Sequence, residues 1–249
     1  MSNQNQTHLE GQLIGKKAIV TGGTRGIGRA VVEQLLDAGV SVVLTGTTAL
    51  GLADALKELT RPGINVYGII ADVSREEDVE ALFAFADKTL GGLDILVNNA
   101  GIGIFQPAGD MSLQDWKRVL DVNLTGAFHC SRLAIPRMKV NGGGYIVQLS
   151  SLAAKNPFAG GAAYNASKFG MNGMTEAMML DHRYDNIRVT SVMPGSVDTG
   201  FGRKEKSPDA ANWKINPSDV ADMVLTVLRM PERTLVSRIE IRPSRPPKK

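Results

Sequence analysis

KAIVTGGTRGIGRAVVEQLLDAG, residues 17–39, passes from a short β-branched run through a glycine-rich turn directly into an amphipathic helix. Gly22, Gly26 and Gly28 stand at the spacing G-x-x-x-G-x-G, immediately after the run. Glycine permits positive φ and a close backbone approach, and a helix that starts at such a turn directs its free N–H groups and positive dipole end into it. A pyrophosphate suits that position. Three glycines can also do no more than close a tight turn, so the stretch is weighed with what surrounds it.

Runs of the same kind recur: KAIVT (17–21), SVVLT (41–45), NVYGIIA (65–71), DILVN (94–98), YIVQLS (145–150), RVTSVM (188–193) and LVSRIEI (235–241). Between them, helical spacing appears at about 26–38, 49–59, 75–90, 112–138, 164–181 and 217–229. Strands that alternate with helices imply βαβ crossovers around a parallel sheet. The expected fold is a single-domain, doubly wound α/β (Rossmann) architecture of about seven strands with helices on both faces. LVSRIEI mixes polar with apolar residues and reads as an edge strand. The domain is expected over 13–242, with residues 1–12 and 243–249 as flexible ends. In such a sheet ligands bind beyond the carboxyl ends of the strands, where the winding reverses.

Composition narrows the function classes. Hydrophobic residues make up 43% and charged residues 21%, as in ordinary globular proteins. No apolar run is long enough to span a membrane, and the polar start MSNQNQTHLEGQ has no signal-like core, so a cytoplasmic protein without a membrane partner is expected. Cys130 lies in the apolar helical stretch FHCSRLAIP and reads as a buried structural thiol. His8, His129 and His182 have no metal-ligand spacing, and no metal is expected. The net charge of +3 owes much to the tail RPSRPPKK, which reads as a solvated end, so no nucleic-acid partner is expected.

The end of the second strand reads LTGTTALG, and Gly46 stands where NAD-binding folds usually carry an Asp or Glu for the ribose 2′-hydroxyl. No carboxylate lies between Asp37 and Asp54. Arg25, with the hydroxyls of Thr47 and Thr48, would instead receive a 2′-phosphate, which favours NADP(H); the alternative is that Arg25 only caps a surface turn. The turn residues Gly22, Thr24, Arg25, Gly26, Ile27 and Gly28 are the expected phosphate side. Asp72-Val73 and Asn99-Ala100-Gly101 end two further strands at the same edge, as cofactor contacts or as turn chemistry alone. A carboxylate introduced by Gly46→Asp is expected to reverse the preference toward NADH.

Asn123 sits in DVNLTGAF inside a helical stretch, where Asn is mildly unfavourable. Ser150 and Ser151 close the fifth strand, and YNASK (164–168) follows, with Tyr164 and Lys168 at i and i+4 on one helical face. An ammonium beside a phenol lowers its pKa toward the neutral range, where the pair exchanges protons, although Y-x-x-x-K alone also occurs at ordinary helix starts.

Taken together, TGGTRGIG, NNAG, DVNLTG, Ser151, YNASK and VMPGSVDTG resemble the short-chain dehydrogenase/reductase family from about residue 12 to 230, nearest to its compact 3-oxoacyl-acyl-carrier-protein reductases. The resemblance implies Tyr164 as general acid or base, Ser151 as the group that polarises the carbonyl, and Lys168 as the group that tunes Tyr164 and binds the nicotinamide ribose. It also implies that Asn123 holds a water on a proton path from Lys168. Pro194, Gly195, Val197 and Thr199 would line the nicotinamide. The implied activity is NADP(H)-dependent reduction of a small-molecule ketone or 3-oxoacyl group, free or carrier-linked, or the reverse oxidation. The implied assembly is a homotetramer or dimer; on the residues, Met171, Met174, Met178 and Met179 suggest an interface, with ordinary core packing as the alternative. A noncatalytic dinucleotide sensor or scaffold, or an epimerase or dehydratase using the same pair, are the competing readings. The segment 200–215, with Arg203, Lys204 and Lys206, is where the family carries its substrate lid, and the end IEIRPSRPPKK departs from the family pattern.

Overall fold

The computed structural model of the chain describes residues 13–201 and 213–247. Seven strands form one sheet: β1 (Lys17–Val20), β2 (Ser41–Gly46), β3 (Val66–Ile70), β4 (Ile95–Asn98), β5 (Gly144–Leu149), β6 (Ile187–Pro194) and β7 (Arg238–Ile241). All neighbours run parallel, in the order β3-β2-β1-β4-β5-β6-β7. The α-helices among the described residues are α1 (Gly26–Asp37), α2 (Ala49–Leu59), α3 (Glu76–Leu90), α4 (Leu113–Leu120), α5 (Gly126–Val140), α6 (Ala162–His182) and α7 (Pro217–Leu228).

The pleat sorts side chains into two cores. Ala18, Val20, Ile95, Val97, Tyr145 and Val147 meet α1, α2 and α7 on one face, whereas Ile19, Leu96 and Ile146 meet α3, α5 and α6 on the other. This explains why the inner strands read as unbroken apolar runs. β7 is half exposed and forms one edge, as its mixed composition implied. Winding proceeds outward in one direction from β1 to β3 and in the other from β4 to β7. The crevice therefore opens at the carboxyl ends of β1 and β4.

One predicted helix is two. Over 112–138 the chain forms α4, a π turn at Asp121–Thr125, and then α5. Ser112 caps α4 by accepting from Asp115 N at 3.0 Å. A β-carbon at Gly126 would lie 2.7 Å from Val73 Cγ2, so glycine lets α5 begin hard against the segment after β3. The tail 1–12, residues 248–249 and most of the 200–215 segment, including Arg203, Lys204 and Lys206, lie outside the described residues. Among the described residues no helix is long and apolar enough to cross a membrane.

Candidate active site

The glycine turn packs closely against its own neighbours. Gly22 and Gly26 have φ of 64° and 58°, and a β-carbon at Gly28 would stand 2.3 Å from both Asn99 Nδ2 and Gly22 O. Asn99 is what fills that space: its Nδ2 donates to Thr21 O at 3.0 Å and Gly22 O at 2.9 Å. Thr21 Oγ1 in turn accepts from the backbone N–H of Asn99 and Ala100, and Thr45 Oγ1 accepts from Gly22 N. Arg25 has extended backbone ahead of α1 and no capping side-chain bond, so the helix opens with N–H groups that no side chain there satisfies. Backbone donors, a dipole end and no β-carbon in the way fit a dinucleotide pyrophosphate.

The remaining cofactor candidates border the same crevice. Thr199 Cγ2 lies 3.2 Å from where a β-carbon on Gly26 would be, which brings the segment after β6 over the turn. Pro194 ends β6, Gly195 N donates to Ile241 O, and Val197 bridges Ile215. Val73 is buried, and Ile27, Ala100 and Val197 are partly buried with their side chains packed against the cores. Gly101 lies 3.3 Å, by its would-be β-carbon, from Asn123 Oδ1. Arg25, Thr47 and Thr48 are exposed; among the described residues the Arg25 side chain has no hydrogen-bond or ion-pair partner, whereas Thr48 Oγ1 caps α2 at Gly51 N. Asp72 is committed locally: burial works against its charge, but hydrogen bonds from Arg118 and Ser74 outweigh it and hold its carboxyl below the usual range. Gly46 is closed as well as uncharged, since a β-carbon there would lie 2.5 Å from Thr24 Cγ2. The single change Gly46→Asp therefore meets the Thr24 methyl before it meets any ligand.

At the chemical end, β5 delivers Leu149 and Ser151, and α6 delivers Tyr164, Ser167 and Lys168. Lys168 is buried and donates from Nζ to Leu149 O at 2.8 Å; burial pulls its pKa down to about 8. Its ammonium also lies 5.8 Å from the centre of the Tyr164 ring. Burial pushes the Tyr164 phenol up, and the Ser151 hydroxyl beside it offsets only part of that. The Lys168 ammonium donates to a backbone carbonyl, and burial is the larger influence on the phenol. Ser151 Oγ accepts from Ala153 N at 3.1 Å, which leaves its own hydrogen free to donate outward.

Asn123, fully buried in the π turn, spends its amide on bracing. Its Nδ2 donates to Ile102 O at 2.9 Å and Ser167 Oγ at 3.1 Å, and Oδ1 accepts from Ile102 N at 2.8 Å. Both amide hydrogens and one lone pair of Oδ1 are thereby engaged, which braces the loop after β4 against the helix that carries Lys168.

The sequence profile described as short chain dehydrogenase matches residues 16–210, from β1 to beyond β6. The chain belongs to the short chain dehydrogenase family. It is 30% identical over 231 residues to an uncharacterised oxidoreductase of Staphylococcus aureus strain USA300, covering 93% of this chain and 98% of that protein. Among solved structures it is similar to a metagenomic short-chain oxidoreductase in complex with NADP, at 33% identity and a TM-score of 0.82, covering 94% of this chain and all of that one. It is also similar to a 7α-hydroxysteroid dehydrogenase complexed with NADH and 7-oxo glycochenodeoxycholic acid, at 29% identity and a TM-score of 0.87, covering 98% of each chain.

This short chain dehydrogenase is thus an oxidoreductase of Rossmann architecture. Several residues that organise its site carried no signal that periodicity reads. Thr21 and Thr45 hold the turn through single hydroxyls inside ordinary strand runs. Phe105, Phe158 and Phe201 gather around Tyr164 from three loops, GIGIFQP, NPFAG and GFG, and their only mark in the sequence is an aromatic flanked by glycine or proline.

Proposed function

We propose that this protein is an NADP(H)-dependent oxidoreductase that reduces the carbonyl of a small molecule, a ketone or 3-oxoacyl group, to an alcohol, and can run the reverse reaction. The supporting observation is the Tyr164 phenol, which burial keeps protonated at neutral pH beside a Ser151 hydroxyl that accepts from Ala153 N and retains its own hydrogen. Both groups are donors waiting for an oxygen that gains negative charge. The dinucleotide, when bound, supplies hydride to the carbonyl carbon. Ser151 donates a hydrogen bond to the carbonyl oxygen, and Tyr164 hands its proton to that oxygen as it becomes the alcohol. Lys168 would hold the cofactor through a ribose hydroxyl, and its ammonium lies near the phenol ring. Asn123 fixes the distance between the loop after β4 and α6.

Two features favour NADP(H) over NAD(H): an exposed Arg25 with no ion-pair partner among the described residues, and the absence of a carboxylate at the end of β2. A charged hydrogen bond to a 2′-phosphate contributes about 1.5–3 kcal/mol. Following NADPH consumption across a panel of neutral carbonyl compounds and a 3-oxoacyl thioester tests the reading. Turnover of at least one carbonyl compound, with NADPH at least about tenfold better than NADH, is expected; failure across the panel with both cofactors contradicts it.

A further inference from the structure

Three phenylalanines surround the phenol, and the chemistry above uses none of them. Phe105 stands edge-on to Tyr164 with ring centroids 5.6 Å apart, and edge-on to Phe158 at the same 5.6 Å. Phe158 lies 6.4 Å from Tyr164, and Phe201 lies 5.7 Å from it. These three rings are 44%, 45% and 44% exposed. One exposed phenylalanine is unremarkable, but three converging from separate loops on the ring of one reactive tyrosine form an apolar ligand wall.

The rings are held in place. Gln106 N donates to Gly160 O at 2.8 Å, which ties the loop of Phe105 to that of Phe158. A β-carbon at Gly103 would lie 2.5 Å from Phe105 Cζ and 2.8 Å from Phe201 Cε1, and one at Gly161 would lie 2.7 Å from Phe158 Cε2. Glycine at these two positions is what lets the rings close on the phenol. Among the described residues no cation sits on Phe105, Phe158 or Phe201; Lys168 approaches only Tyr164 and donates its proton inward.

We propose that the substrate is an uncharged ketone with an aromatic ring bonded to the carbonyl carbon, its ring seated among Phe105, Phe158 and Phe201 while the oxygen meets Ser151 and Tyr164. This rests on the reductase reading above and narrows it. Aromatic rings favour edge-to-face and offset contacts because their edges are positive and their faces negative, and each such pair adds to the area it buries. A ring one bond from the carbonyl suits a wall built around the proton donor itself. An anionic or carrier-linked acyl group would find no charged partner on the described part of this wall.

The test compares acetophenone, cyclohexyl methyl ketone, 2-butanone and a 3-oxoacyl thioester, in wild type, Phe105→Leu and Gly103→Ala. Turnover is read as kcat/KM with NADPH, and binding by ligand-observed NMR titration of the two ring ketones in the presence of NADP⁺. Wild type is expected to favour acetophenone over cyclohexyl methyl ketone about tenfold in both readouts, the size of one or two aromatic pairs. Phe105→Leu keeps the apolar surface without the ring and should abolish that preference; Gly103→Ala, which forces Phe105 and Phe201 to shift, should reduce it. Equal binding of the two ring ketones, or a thioester used better than every neutral ketone, overturns the proposal even if ketones are reduced. An aryl preference in binding without NADPH consumption keeps the aromatic wall and overturns the reductase reading instead.

Discussion

At Tyr164 and Lys168 burial favours the neutral form of both groups, raising the phenol and bringing the ammonium down to about 8. For Lys168 the folded value lies below the ordinary 10.5, so between these values the unfolded chain binds the proton more readily and stability falls as pH falls from about 10.5 toward 8. The cost carried at pH 7 is on the order of 3 kcal/mol. Lys168→Met is therefore expected to end turnover yet raise the melting temperature by several degrees at pH 7, with the gain shrinking toward pH 10.5. Paired thermal melts at the two pH values check it, and a variant no more stable at pH 7 would mean that the Leu149 carbonyl fully compensates the buried charge. The residues of this site were readable as types: Ser151, Tyr164 and Lys168 do converge. Their electrostatics were not, because i,i+4 spacing places Lys168 on the right face but says nothing of the carbonyl that claims its ammonium.

The strand-turn-helix unit at 17–39 was legible because glycine, β-branched runs and helical period each have one dominant structural meaning. All seven strands and the edge position of β7 follow from the same patterns. The break at Asp121–Thr125 was not legible, since DVNLTGAF continues a helical pattern and the π turn is set by what Asn123 reaches in Ile102 and Ser167. Two predictions belong to the turn. Gly28→Ala puts a β-carbon against Asn99 and Gly22, and is expected to cost about 1–3 kcal/mol in chemical denaturation and more than tenfold in NADPH affinity by fluorescence titration; unchanged affinity would mean that the cradle is not the pyrophosphate site. Arg25→Ala should erode the NADPH margin mainly by weakening NADPH. Thr24→Ser combined with Gly46→Asp removes the obstructing methyl, and should reverse the preference where Gly46→Asp alone is impaired with both cofactors. Comparing kcat/KM for NADPH and NADH across these variants decides it, and an unaltered preference in Arg25→Ala would remove that residue from the account.

The methionines that suggested an assembly face inward: Met171 and Met178 are buried, and Met174 and Met179 pack against the same core. Sequence could not separate these, because a helix covered on one side by the sheet and one covered by another subunit show the same apolar stripe. Among the described residues the large apolar side chains that α5 and α6 leave in water are Phe128, Val140, Phe169 and Leu180, and self-association through these helices would run through them. Light scattering at micromolar concentration should report a dimer or tetramer, and Phe169→Asp should lower the mass; a wild-type monomer contradicts this. The sheet brings the glycine turn at β1 and the phenol of α6 to one crevice, and the central claim is that these two ends act in a single reaction. Transfer of deuterium from NADPH carrying deuterium at both nicotinamide C4 positions tests that most directly, with the best ketone of the panel and mass spectrometry of the alcohol. Wild type should place one deuterium on the carbinol carbon, and Tyr164→Phe should bind NADPH with near-normal affinity yet transfer none. An alcohol without deuterium, or a Tyr164→Phe protein that transfers it at the wild-type rate, would contradict the account.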